Sequence, residues 1–135
     1  MLMNREKSVL LIVDVQERLA PSIHDGQRVA ENCAWLAQVA ARVGVPVVVT
    51  EHFPGKIGAT LADVKAVTAD AQYVEKTAFS AQADGCLGAT AVAQRRQIVV
   101  CGTEAHVCVQ QTALDLRWAG KEVFVEIGRS TRLNS

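Results

Sequence analysis

A chain of 135 residues, half of them apolar, is long enough to bury one substantial core and too short to expect two domains. Fourteen basic and fourteen acidic side chains give a formal net charge of zero, so bulk electrostatics recommends neither a nucleic acid nor an anionic membrane as partner. The four cysteines, Cys33, Cys86, Cys101 and Cys108, show no C-x-x-C spacing and no disulfide-scaffold density, which points to a reducing compartment.

Residues 1–7 carry charges but no apolar signal-peptide core, and no apolar run exceeds strand length, so the expected setting is soluble and cytoplasmic. Residues 8–15 form a continuous aliphatic run ending near Asp14, the pattern of a parallel strand covered on both faces. A polar connection over 16–26 follows. Val29, Cys33, Leu36, Val39 and Val43 then recur at steps of three and four, predicting a helix stopped by Gly44.

Residues 45–50 read as a second strand, with a loop over 51–58 at the same sheet end. The pattern over 61–71 is ambiguous between helix and loop. Residues 72–76 read as a third strand delivering Lys76, and the Ala-rich stretch 83–94 as a helix. A fourth strand over 97–101, a helix from about 106 to 119 ended by Gly120, and a fifth strand over 121–127 complete the pattern. This alternation predicts an α/β fold, with a mostly parallel sheet between two helical layers and ligands at the carboxyl ends of the strands.

The segment Cys101-Gly102-Thr103-Glu104-Ala105-His106-Val107-Cys108-Val109 reads as strand, tight turn and helix start. A thiol in a helix's first turn meets unpaired N–H groups and the positive end of the dipole, so the expectation is a favoured thiolate at Cys108. This segment resembles the nucleophile region of the isochorismatase-like cysteine hydrolases, most closely the isochorismatase domain-containing proteins. Two further stretches match in order: Leu10-Leu11-Ile12-Val13-Asp14-Val15-Gln16, and Val74-Glu75-Lys76-Thr77-Ala78-Phe79-Ser80.

The resemblance implies a Rossmann-like three-layer fold with strand order 3-2-1-4-5, the family's sixth strand being absent. It implies a catalytic Asp14, Lys76 and Cys108, an oxyanion hole from the backbone N–H groups of Glu104 and Cys108, and a cis peptide between Thr103 and Glu104. The expected activity is a metal-independent cysteine hydrolase for a small amide, imide or related substrate, working through a covalent cysteine intermediate without a cofactor. The alternative is a non-catalytic interaction or scaffold protein on the same fold.

Taken singly, an aspartate at a strand end is a turn former, a lysine there is a solvated cation, and a cysteine is a small core hydrophobe. Leu19, Phe53 and His106 are substrate-lining candidates. Phe53 and Trp118 also read as core aromatics by spacing. His24 and His52 invite a metal, but Glu51-His52-Phe53-Pro54 lacks the Asp-x-His of the metal-binding relatives, so no metal is expected.

Residues 128–135 depart from the family pattern. The expectation is a hydrolase domain over 1–127, incomplete at its C-terminal end, with a disordered or foreign tail. The fifth strand is then an exposed edge, and a homo-oligomer is expected.

Overall fold

The computed structural model describes residues 2–22 and 26–126. Five parallel strands form one sheet: β1 (Ser8–Val13), β2 (Val47–His52), β3 (Gln72–Lys76), β4 (Gln97–Gly102) and β5 (Glu122–Val125), in the order β3-β2-β1-β4-β5. This is the order the resemblance implies. All six residues of β1 are buried, because the strand is central and both its faces are covered. Its register pairs Leu11 with Val48 on one side and Val100 on the other.

Side chains alternate across a strand, so the sheet splits its apolar residues between two cores. Val9, Leu11, Val13, Val48, Ile98 and Val100 pack with Leu87, Val92, Cys108 and Leu116 on one face. On the other, Leu10, Ile12, Val49 and Cys101 pack with Val29, Ala30, Cys33, Ala37 and Ala40 of helix α1 (Gly26–Val43). The buried stripe of α1 is therefore turned towards its alanines. Val39 and Val43, expected on that stripe, are 38% and 41% exposed, since the small side chains let the helix approach the sheet closely along the neighbouring face.

Short helices occupy the connections: α2 (Pro54–Ile57), α3 (Ala62–Lys65), α4 (Ala81–Asp84) and α5 (Ala91–Gln94). The single helix expected over 83–94 is thus two. Ser80 and Thr90 each cap an N-terminus through the side-chain oxygen, and Gly85, at φ 87°, ends the first. The helix expected from 106 is also divided, into a π-helical turn over Ala105–Val109 and α6 (Gln110–Trp118).

Helix α6 buries Thr112 and Leu116, which leaves Leu114 and Trp118, about half a turn away, 60% and 93% exposed. Trp118 therefore packs in no core. Among the described residues, β5 pairs with β4 alone and lies at the edge of the sheet, with Val125 43% exposed. Ile127 and the proposed tail over 128–135 lie outside the described residues, as does His24. Among the described residues, no helix is long and apolar enough to cross a membrane.

Candidate active site

The carboxyl ends of β1 to β4 converge on a buried charged cluster. Its first member, Asp14, follows β1 with φ at 54°, a left-handed conformation that L-residues with a side chain adopt at a cost of order 1–3 kcal/mol. The neighbours over-determine it. Asp14 N–H donates to the Thr50 carbonyl at 3.2 Å, and its own carbonyl accepts from Thr103 Oγ1 at 2.7 Å. Thr50 Oγ1 donates to Asp14 Oδ1 at 2.7 Å, so one carboxylate oxygen is fixed. The other, Oδ2, is fully buried and faces the Lys76 ammonium.

Between β4 and this corner, Gly102 sits at φ 124°, where a Cβ would lie 2.1 Å from the Val13 carbonyl oxygen. Only glycine lets the two backbones touch. The next peptide, Thr103–Glu104, is cis, and Glu104 leads into the π-helical turn that carries Cys108.

Lys76 ends β3 with its side chain fully buried. Its Nζ lies 2.8 Å from Asp14 Oδ2, 3.0 Å from the carbonyls of both Ala78 and Phe79, 3.1 Å from His52 Nδ1 and 3.7 Å from Cys108 Sγ. A buried ammonium is tolerated only with such a full complement of acceptors and an opposite charge. The loop that supplies the two carbonyls is itself braced. The Asp84 carboxylate accepts from Thr77 N at 2.8 Å and Ala78 N at 3.0 Å, and Ala81 N donates to Thr112 Oγ1. Those backbone bonds hold the Asp84 carboxyl below its ordinary value.

Cys108 is 2% exposed and lies in the π-helical turn. Burial, then the negative charge of Asp14, pushes its thiol up to about 12, with Lys76 pulling the other way. The expected favoured thiolate is therefore corrected: desolvation and the adjacent carboxylate outweigh the helix start. The resting group is a neutral thiol beside a carboxylate and an ammonium. Asp14, Lys76 and Cys108 thus meet around one nitrogen, Nζ of Lys76.

Four further residues complete the cluster. Gln16 is fully buried and clamps β2, accepting from His52 N at 2.7 Å and donating to the carbonyls of His52 and Gly58. Thr50 and Thr103 orient Asp14 as described. His52 stacks on Phe79 at 5.7 Å between ring centroids and meets Phe53 edge-on at 4.9 Å. Burial, and then Lys76, lowers its basicity, so the imidazole is neutral near pH 7.

Gln16, Thr103 and Phe79 lie inside the three recognised segments, but in sequence nothing distinguishes them from turn or core residues. Thr50 and His52 follow an apolar run, and only the strand register brings them to the site.

Of the lining candidates, Phe53 is 40% exposed and walls a cleft of about 380 Å³ with Lys56, Glu75, Lys76, Thr77 and Asp84. Leu19 is half-buried beyond Gln16 and is not among the residues of that cleft. The His106 side chain lies outside the described residues. Among the described residues, no group of three or more His, Cys, Asp or Glu side chains is placed to hold a metal. Glu51 is committed to Thr60, whose N–H and hydroxyl it accepts at 2.7 and 2.8 Å. All four cysteines are free.

Residues 8–126 match the isochorismatase domain family model. The chain is 37% identical over 119 residues to isochorismatase domain-containing protein 1 of Danio rerio, covering 87% of this chain and 42% of that protein. It is 32% identical over 119 residues to isochorismatase domain-containing protein 2 of the same species, covering 87% of this chain and 59% of the relative. Among solved structures it resembles one described as the MAR1 ribonuclease of Caenorhabditis elegans, with a TM-score of 0.84 and 30% identity over 91% of this chain and 64% of that one. The chain thus spans about half the length of the curated relatives it matches.

Proposed function

The chain belongs to the isochorismatase-domain family, and from that premise we propose that it is a cysteine hydrolase of small amides, imides or related acyl compounds, with Cys108 as nucleophile. One observation carries the proposal: a thiol, a carboxylate and an ammonium converge at Lys76 Nζ, 3.7 Å and 2.8 Å from Cys108 Sγ and Asp14 Oδ2.

Asp14 Oδ2, buried beside the Lys76 ammonium, takes the thiol proton as the sulfur attacks the carbonyl carbon. The C–S bond forms and the carbonyl π pair moves to oxygen. The backbone N–H groups of Glu104 and Cys108 are the proposed donors to that oxyanion. Lys76 stabilises the single negative charge as it passes from Asp14 to the sulfur. On collapse, the C–N bond breaks and the proton on Asp14 passes to the leaving nitrogen, giving a thioester. Water then attacks, Asp14 takes its proton and returns it to sulfur, and the carboxylic acid leaves.

The substrate is a small molecule entering beside Phe53, where the cleft of about 380 Å³ lies. The scheme uses no metal or cofactor, since Glu51 and His52 are already committed to Thr60 and Lys76. We place the protein in the cytoplasm on its four free cysteines, with neither nucleic acid nor membrane as partner. The exposed Leu114 and Trp118 support a homo-oligomer.

A panel of small amides, imides and esters, extended by a single-stranded RNA to cover the activity named for the nematode relative, tests the reading against Cys108→Ala. Turnover lost in that variant supports it. Equal turnover in both removes Cys108 as the nucleophile, whereas turnover absent with every compound favours the scaffold alternative.

A further inference from the structure

We propose that uncharged His52 is the positioning residue of Lys76: by accepting one ammonium N–H at Nδ1 it holds Nζ between Asp14 Oδ2 and Cys108 Sγ. This rests on the cysteine-hydrolase reading above, and names a member of the same site that the three recognised segments do not contain.

An ammonium has three N–H groups and no acceptor. Lys76 Nζ faces the Ala78 and Phe79 carbonyls at 3.0 Å, His52 Nδ1 at 3.1 Å and Cys108 Sγ at 3.7 Å, so the acceptors around it fix where the nitrogen sits. Asp14 Oδ2 lies nearest, at 2.8 Å, in a fully buried ion pair. A carboxylate oxygen has two lone-pair sites, so Oδ2 can hold the ammonium and still take the thiol proton. An Nδ1 facing an ammonium must offer a lone pair, so the ring hydrogen resides on Nε2. Without Nδ1, Nζ loses its acceptor on β2 and is no longer held between Oδ2 and Sγ.

The surroundings hold the ring for this task. His52 pairs with Lys76 in the β2–β3 register, its backbone is clamped on both sides by Gln16, and its ring packs against Phe53 and Phe79. The charged groups around it are Lys76 from β3, Asp14 after β1 and Asp84 from α4, with Lys56 above the Phe53 ring. A proton on Nδ1 sets two cations 3.1 Å apart and ends the contact, so acidification below the ordinary imidazole range disables the site.

Asparagine carries Oδ1 where histidine carries Nδ1, and leucine has the same branching without an acceptor. Both lose the ring stacking, so their difference isolates the acceptor. The experiment uses p-nitrophenyl acetate as acyl probe on wild type, His52→Asn, His52→Leu and Cys108→Ala, across the acid pH limb, alongside the 15N shifts of His52 in wild type.

The expected result is His52→Asn within about threefold of wild type and His52→Leu slower by about tenfold or more. The acid limb of His52→Asn should be shallower by one proton, and the resting ring should be neutral with hydrogen on Nε2. Equal rates for the leucine and asparagine variants, an unchanged acid limb, or a ring protonated on Nδ1 at neutral pH overturns the proposal. Where His52→Leu fails to fold, the wild-type shifts and the asparagine limb decide. An unaltered rate in Cys108→Ala overturns the nucleophile reading instead, and leaves the tautomer result standing as a separate measurement.

Discussion

Replacing Asp14 by asparagine should make Cys108 more reactive towards a simple alkylating agent while abolishing hydrolysis. The thiol is held up at about 12 by burial first and by the Asp14 charge second, with Lys76 opposing. Oδ2 and Sγ both contact Lys76 Nζ, at 2.8 and 3.7 Å, so they lie at most about 6.5 Å apart. At that separation, with an effective dielectric near 20, a unit charge is worth about 2.5 kcal/mol, or a little under two pKa units. Asparagine removes this charge and leaves Lys76 with the thiolate as its available counter-ion. The thiolate population should rise roughly eightyfold. A less basic thiolate is also a weaker nucleophile, by about half of the change in logarithmic terms, so labelling should quicken about tenfold. The assay is iodoacetamide labelling at pH 7.5 with peptide mapping at Cys108, beside turnover of the best substrate from the panel. Labelling slower than wild type in a folded Asp14→Asn protein would refute the reasoning, because it would mean that the carboxylate promotes the resting thiolate.

Gly102→Ala should unfold the protein or cost more than about 4 kcal/mol in a denaturation series, since its Cβ would fall 2.1 Å from the Val13 carbonyl oxygen. The contribution of His52 to stability should be complete above about pH 6.5, the value it has unfolded, and should decline as pH falls below it. There the unfolded imidazole takes a proton that the folded one resists. Denaturant midpoints from pH 7.5 to 5 in wild type and His52→Asn check this, the variant lacking that component. Asp84→Ala removes the acceptor of Thr77 and Ala78 N–H, so the loop supplying the Lys76 carbonyls should loosen and turnover should fall several-fold; hydrogen exchange at Thr77 and Ala78 reports the cause. Trp118→Ser should leave stability within about 0.5 kcal/mol, since the ring is 93% exposed, and should reduce self-association in size-exclusion chromatography.

Much of this arrangement was legible in the sequence because it rests on short-range pattern. The aliphatic run of β1 could only be a strand covered on both faces, and the regular alternation that follows fixed a parallel sheet. The three recognised segments supplied Asp14, Lys76 and Cys108 in order, and the strand order followed from the resemblance. What stayed hidden depends on register and desolvation. Thr50 and His52 reach the site because β2 lies between β1 and β3, a fact no local pattern encodes. The neutral state of the Cys108 thiol depends on its burial beside Asp14, which the sequence motif of a cysteine at a helix start does not convey. On α1, Val29 and Cys33 lie in the core as the periodicity predicts, whereas close packing against the sheet buries Ala37 and Ala40 and leaves Val39 and Val43 exposed.

The central claim is that Cys108 forms a covalent acyl intermediate, with Asp14 relaying the proton. Rapid mixing of the protein with p-nitrophenyl acetate, followed by acid quench and mass mapping, tests it most directly. The account predicts a burst of released nitrophenol stoichiometric with protein, an acyl group on Cys108 that decays at the turnover rate, and loss of both in Cys108→Ala. Steady turnover without an adduct on Cys108, persisting in the alanine variant, would contradict it.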